Sequence, residues 1–168
     1  MISSILLSLL TGFVSSGILL FFLFKTRPDI IVADQLVIDK NKKIIYVKVV
    51  NKSVFDAMDV EYDLEFCHDK GDHIINQKRI KPVQEHFSVI PKYDCKDKYA
   101  QYAYRYSFDY SPIEKDIDTM NKNTYISFRI KAKHSFSSGS KHVWKEYNKD
   151  DIVEGKYSFG ISCLVIRA

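Results

Sequence analysis

The sequence predicts a mainly β protein, with a single N-terminal transmembrane helix followed by one antiparallel β-sandwich. Three observations carry this. No Asp, Glu, Lys or Arg precedes Lys25, so all 25 basic and all 21 acidic residues follow the first 24 positions. From Asp29 onward apolar and polar residues alternate with the period of two that a half-buried strand requires. Turn-forming clusters separate about eight such runs, the spacing of an antiparallel sandwich. The expected division of the 168 residues is 1–27 for the helix with its basic flank and 28–168 for a cytoplasmic domain.

Composition narrows the class. The chain is 46% hydrophobic and 27% charged, which suits a folded domain rather than a disordered one. The net charge of +4 is small, and the charges sit in short mixed clusters such as Asp39 to Lys43 and Lys92 to Lys98. These read as solvated turns, so a nucleic-acid polymer is not an expected partner. Cys67, Cys95 and Cys163 are odd in number and far apart. That argues against a disulfide framework and for a reducing compartment.

Ile2 to Phe24 is 23 residues without a charge. As a helix it reaches roughly 34 Å, slightly more than a hydrocarbon core. It ends at Lys25-Thr26-Arg27-Pro28, where Lys25 and Arg27 are expected to contact lipid headgroups and Pro28 opposes further helix. A cleaved signal would begin with basic residues and end with small ones. Here the most apolar run, Ile18 to Phe24, comes last, so a retained anchor is expected. Positive charge on the C-terminal flank alone predicts an outside N-terminus and a cytoplasmic domain. Ser4, Ser8, Gly12 and Ser16 recur every four residues, and Thr11 and Ser15 widen the stripe. Small residues let helix backbones approach, so the stripe predicts self-association into a homo-oligomer. The alternative is serine merely tolerated in a lone anchor.

The strands follow in order. Ile30 to Ile38 is one apolar-rich run, Asp39 to Lys43 a turn, and Ile44 to Val50 the next run, with Val47 and Val49 opposed to Tyr46 and Lys48. Met58, Val60, Tyr62, Leu64 and Phe66 alternate with Asp59, Glu61, Asp63 and Glu65. One face of that strand is apolar; the acidic row either meets water or docks a basic partner. His73 to Ile80 and Val83 to Ile90 read as strands parted near Pro82. Tyr102, Tyr104, Tyr106, Phe108 and Tyr110 form a series suited to core or interface packing, or alternatively to base stacking. Ile113 to Met120 reads as a short helix and Thr124 to Ala132 as a strand with Ile126, Phe128 and Ile130 on one face. A turn over Ser135 to Ser140, a strand over Val143 to Tyr147, a helical turn at Asp150-Asp151-Ile152 and a strand over Lys156 to Ile166 complete the set.

The order of these motifs resembles a known family. Arg27-Pro28 follows a membrane helix, then come Ile30-Ile31-Val32, a strand ending Val47 to Asn51, Asp109-Tyr110-Ser111-Pro112-Ile113, Lys145-Glu146-Tyr147 and Gly155-Lys156-Tyr157. From Lys25 to Gly160 this resembles the cytoplasmic domain of inward-rectifier potassium channels, the bacterial branch above all. The resemblance implies an immunoglobulin-like sandwich below a bacterial inner membrane. It also implies a tendency to four-fold rings, lipid contact at Lys25 and Arg27, and ligand contacts that bias a gate. The chain departs from the family in having one membrane helix, no pore helix and no Thr-x-Gly-Tyr-Gly filter. Potassium conduction is therefore not carried over.

No catalytic, cofactor-binding or metal-binding residue is expected. Phosphate-loop, dinucleotide, nucleophile-elbow and paired-histidine motifs are absent. Cys67, His68 and His73 with Cys95 match no standard zinc spacing. His134 with Ser135, Ser137 and Ser138 reads as a hydroxyl-rich turn, and Asp150-Asp151 as a helix cap. The expected function is a non-enzymatic sensor or effector. Its sandwich would bind a small ligand or protein partner and be coupled to self-associating helices, as in a membrane-acting defence effector. The alternative is a scaffold subunit docked through the acidic strand face and the tyrosine series.

Overall fold

The computed structural model describes residues 2–25, 28–71, 75–83, 88–92, 105–135, 139–158, 160 and 162–167. The helix α1 spans Ile2–Lys25. The strands are β1 (Ile30–Val32), β2 (Leu36–Asp39), β3 (Ile44–Asn51), β4 (Ala57–Asp69), β5 (Ile75–Ile80), β6 (Val89–Ile90), β7 (Arg105–Asp109), β8 (Thr124–His134), β9 (Ser140–Tyr147), β10 (Ile152–Tyr157) and β11 (Val165–Arg167). A short helix α2 (Glu114–Asp118) follows a 3-10 turn at Ser111–Ile113, where Pro112 opens the turn. Ile113, Ile117 and Met120 are buried, so one side of this turn and helix faces the core.

The strands form two sheets. In the first, β3 is flanked by β7 on one edge and by β1 and β2 in succession on the other, with β10 and then β11 beyond β2. The single run Ile30 to Ile38 is thus two strands. β1 pairs with Val49–Asn51 and β2 with Ile44–Tyr46, and the chain between them carries two more residues than β3 does opposite. This sheet is also not wholly antiparallel, because β10 lies parallel to β2, with Val153 opposite Val37. The chain leaves the second sheet at Tyr147 and enters the first at Ile152, and such a crossover frees β10 from the antiparallel direction a hairpin imposes. The second sheet is antiparallel in the order β5, β4, β8, β9, with β6 beside the start of β4.

The two sheets share one core. Leu36, Ile45 and Val47 from the first and Leu64, Ile126 and Phe128 from the second are buried in one cluster. Aromatic rings stitch it: Tyr62 lies 4.4 Å from Tyr106 and 5.8 Å from Phe108, and Phe128 lies 6.2 Å from each of those two. Tilted and edge-on contacts of this kind add to simple burial.

Two further expectations need correction. Met58 is exposed rather than part of the apolar face. Asp59 adopts a left-handed φ of 49°, and the β4–β8 register gains a residue between Met58 and Glu61. That bulge reverses the alternation, so Ala57 points inward instead. The run Lys156 to Ile166 is the end of β10, a reversal, and β11, which pairs back on β10. In the run Val83 to Ile90 the described strand is Val89–Ile90; residues 84–87, His73, Tyr102 and Tyr104 lie outside the described residues.

Candidate functional site

The helix α1 carries the first candidate. Its segment Ile5–Phe22 has a mean hydropathy of 2.2 and no residue buried within the protein. Phe13 is 84% exposed. Ser8, Gly12 and Ser16 do lie along one groove, rimmed by Ile5, Leu9 and Phe13. Around Gly12 the space a Cβ would enter is open. Thr11 is different in character: its hydroxyl lies 3.0 Å from both the Leu7 and the Ser8 carbonyl oxygens, so it is satisfied within its own helix. Lys25 closes α1. Its side chain, that of Ser4, and all of Arg27 lie outside the described residues.

A second candidate lies on the outer face of the first sheet. Tyr46 and Lys48 point away from the shared core, as their alternation with Val47 and Val49 requires, yet Lys48 is fully buried. The chain after β10 covers it. The Lys48 ammonium donates to the Ser158 carbonyl at 2.8 Å and the Ser162 carbonyl at 2.6 Å. Beside it, the Tyr157 hydroxyl lies 2.5 Å from the Gln35 carbonyl oxygen and 3.1 Å from that of Tyr46. The Arg105 guanidinium sits 4.3 Å above the Tyr46 ring, a cation–π contact. Ala33, Val37, Tyr46 and Tyr157 make a small second core here, with Cys163 and Val165 packed on it.

Burial lowers the Lys48 pKa from its ordinary 10.5. It raises the Cys163 thiol above 9.0, more than the neighbouring Lys48 charge lowers it. A thiol held protonated is a poor nucleophile. The two bonds from Lys48 pin the C-terminal segment onto the first sheet.

The outer face of the second sheet presents the acidic row, and each carboxylate has a cation on the same sheet. Asp59 pairs with Lys133 at 3.0 Å, Glu61 with Lys131 at 3.3 Å, Glu65 with Arg129 at 2.6 Å, and Asp63 with Arg79. These are pairs at the surface of the sheet, so each acid already has a cation beside it. Tyr106, Phe108 and Tyr110 are buried in the core and present no stacking surface. Tyr125 and Trp144 are aromatic residues on this face, and the Trp144 Nε1–H donates to the Ser127 hydroxyl at 2.7 Å.

The scattered histidines and cysteines do not converge. Cys67 is buried, and burial raises its thiol pKa; Cys95 and His73 lie outside the described residues. Among the described residues no group of three His, Cys, Asp or Glu is placed to hold a metal ion. His134 is buried edge-on to Phe55 with ring centroids 5.0 Å apart, and burial lowers its pKa. Ser137 and Ser138 lie outside the described residues. Asp151 accepts from the Asn148 backbone N–H at 2.9 Å and closes a capping box over the turn Lys149–Asp151.

Sequence reasoning missed two polar anchors. One is Lys48. The other is Asn51, whose amide donates to the Phe55 carbonyl at 2.9 Å and the Ile90 carbonyl at 3.1 Å while its oxygen accepts from the Ser53 N–H at 3.0 Å. Asn51 ends an apolar strand, which is its one signal in the sequence. Neither a scan against models of known protein families nor a search of curated proteins finds a match for this chain.

Proposed function

We propose that this chain is a single-pass membrane protein without enzymatic activity. In this reading α1 crosses the bacterial inner membrane with its N-terminus outside. The two-sheet domain is an immunoglobulin-like sandwich in the cytoplasm, as in the inward-rectifier domains it resembles. It binds a small ligand or a protein partner and biases the packing of self-associating helices. Lys25 and Arg27 hold the junction at the headgroups. A membrane-acting defence effector is one task this arrangement suits.

One observation carries the reading. A helix of 24 residues leaves its large apolar side chains exposed along Ile5–Phe22 while the β domain buries its own core without it. In water that surface has no compensation, whereas in lipid it needs none. The scaffold alternative has less support, because Tyr106, Phe108 and Tyr110 are buried in the core and the acids of β4 are paired on their own sheet.

The test is membrane extraction and protease access on the full chain in bacterial cells. The chain should stay with membranes through alkaline carbonate. Protease should degrade the β domain in inverted vesicles and spare it in intact spheroplasts. Release by carbonate, cleavage from the periplasmic side, or a mature chain lacking the first residues would overturn the proposal.

A further inference from the structure

The strand β9 is the outermost member of its sheet. It pairs with β8 in unbroken register from Ser140 to Tyr147, and among the described residues no strand is hydrogen-bonded to its other edge, although β1 packs nearby. An edge of 8 residues presents a row of backbone donors and acceptors that a further strand can satisfy. Proteins commonly blunt such edges with proline or a bulge. β9 contains no proline, and its register with β8 shows no shift.

The side chains of β9 select the occupant. Ser140, His142, Trp144 and Glu146 share the outer face with Lys133, Lys131, Arg129 and Ser127 of β8. Lys141, Val143, Lys145 and Tyr147 share the inner one, where Lys145 is tied back to Asp34 at 2.5 Å. When two copies of one strand pair antiparallel about a two-fold axis, opposite residues share a face, so the axis passes through one residue. An axis at Val143 sets Lys141 against Lys145 of the second copy. An axis at Lys145 sets that lysine against itself. Like charges directly opposite are unfavourable. An axis at Trp144 sets the two Trp144 backbones opposite each other and His142 opposite Glu146 of the second copy, twice over. It also sets Lys141 against Tyr147 and Val143 against Lys145, with no like charges opposed; an axis at His142 opposes none either, but pairs only Ser140 to Trp144, five residues of β9 against the seven from Lys141 to Tyr147. Trp144 is 64% exposed, and its bond to Ser127 draws the ring back over its own sheet, clear of the strand edge.

We infer that β9 is a self-pairing edge: a second copy of this chain adds its own β9 antiparallel, centred on Trp144, to make one continuous sheet across two domains. The inference concerns the domain and stands whether or not α1 associates.

The experiment uses the full chain in mild detergent with Trp144→Cys and a short thiol cross-linker, read against the unmodified chain and its native cysteines. A cross-linked dimer should appear with Trp144→Cys. It should be absent with Ser140→Cys, because those two positions lie about 26 Å apart along the paired strands. Adding His142→Lys with Glu146→Lys opposes lysines twice and should lower the dimer yield about ten-fold, whereas adding His142→Glu with Glu146→Lys opposes Glu to Lys twice and should restore it. Urea midpoints of the variants confirm that each remains folded. No dimer above the unmodified chain, equal yield from Ser140→Cys, or no recovery on charge exchange overturns the inference. So does cross-linking of the Trp144→Cys thiol to a different membrane protein in place of a second copy.

Discussion

At the scale of single residues, Lys48 is the clearest case of chemistry set by distant chain. A buried ammonium is costly unless it is hydrogen-bonded, and here two backbone carbonyls accept from it. Those carbonyls lie 110 and 114 positions further along. Alternation correctly puts Lys48 opposite Val47 and Val49, but no neighbouring residue signals that the outer face is covered. Its role was therefore not legible in the sequence. Lys48→Met keeps the apolar stem and removes the donor. It should cost about 2 kcal/mol in urea unfolding, since both carbonyls lose a charged partner. Amide exchange should accelerate over residues 158–167 and stay slow in β8. The pH dependence has a definite sign. Burial lowers the folded-state pKa below 10.5, so the unfolded chain binds the proton more tightly. This group's contribution to stability is thus least below its folded pKa and improves as pH rises toward 10.5. Lys48→Met should remove that alkaline improvement.

At the scale of elements, the alternating runs were legible and their interruptions were not. β8 follows its pattern closely, with Ile126, Phe128 and Ile130 all buried. The phase of β4 changes at Asp59, because one left-handed residue inserts a bulge that no hydrophobic pattern reports. The turn at Lys149–Asp151 was legible because its capping chemistry is local. The β10–β11 pair was hidden because apolar residues continue through the reversal between them. Gly155 holds that pair together: a Cβ there would overlap the Ile166 carbonyl oxygen and crowd Arg167. Gly155→Ala should therefore push β11 away from β10. We expect a loss of about 2 kcal/mol in thermal or urea unfolding, with new protease cleavage near the C-terminus. Unchanged stability and resistance would show that β11 needs no such close approach.

At the scale of the whole molecule, two parts dispose of their apolar surface in different ways. The β domain closes its core from its own two sheets, whereas α1 keeps apolar groups outward along its length. That division was legible from charge alone, since the first charged side chain is Lys25. The small-residue stripe was legible from spacing, and the structure brings Ser8, Gly12 and Ser16 into one groove. The two parts should accordingly respond separately to substitution. Gly12→Leu fills the groove with a branched side chain and blocks close backbone approach between helices. Cross-linking through cysteines placed on the stripe in native membranes should fall about ten-fold, on the order of 1.4 kcal/mol of association. The urea midpoint of the β domain should not change, because no residue of Ile5–Phe22 is buried against it. If the domain were destabilised along with the helices, the groove would be a docking site for the domain. If cross-linking were unchanged, helix packing would have to run through another face of α1, and the β9 edge would become the main source of any oligomer.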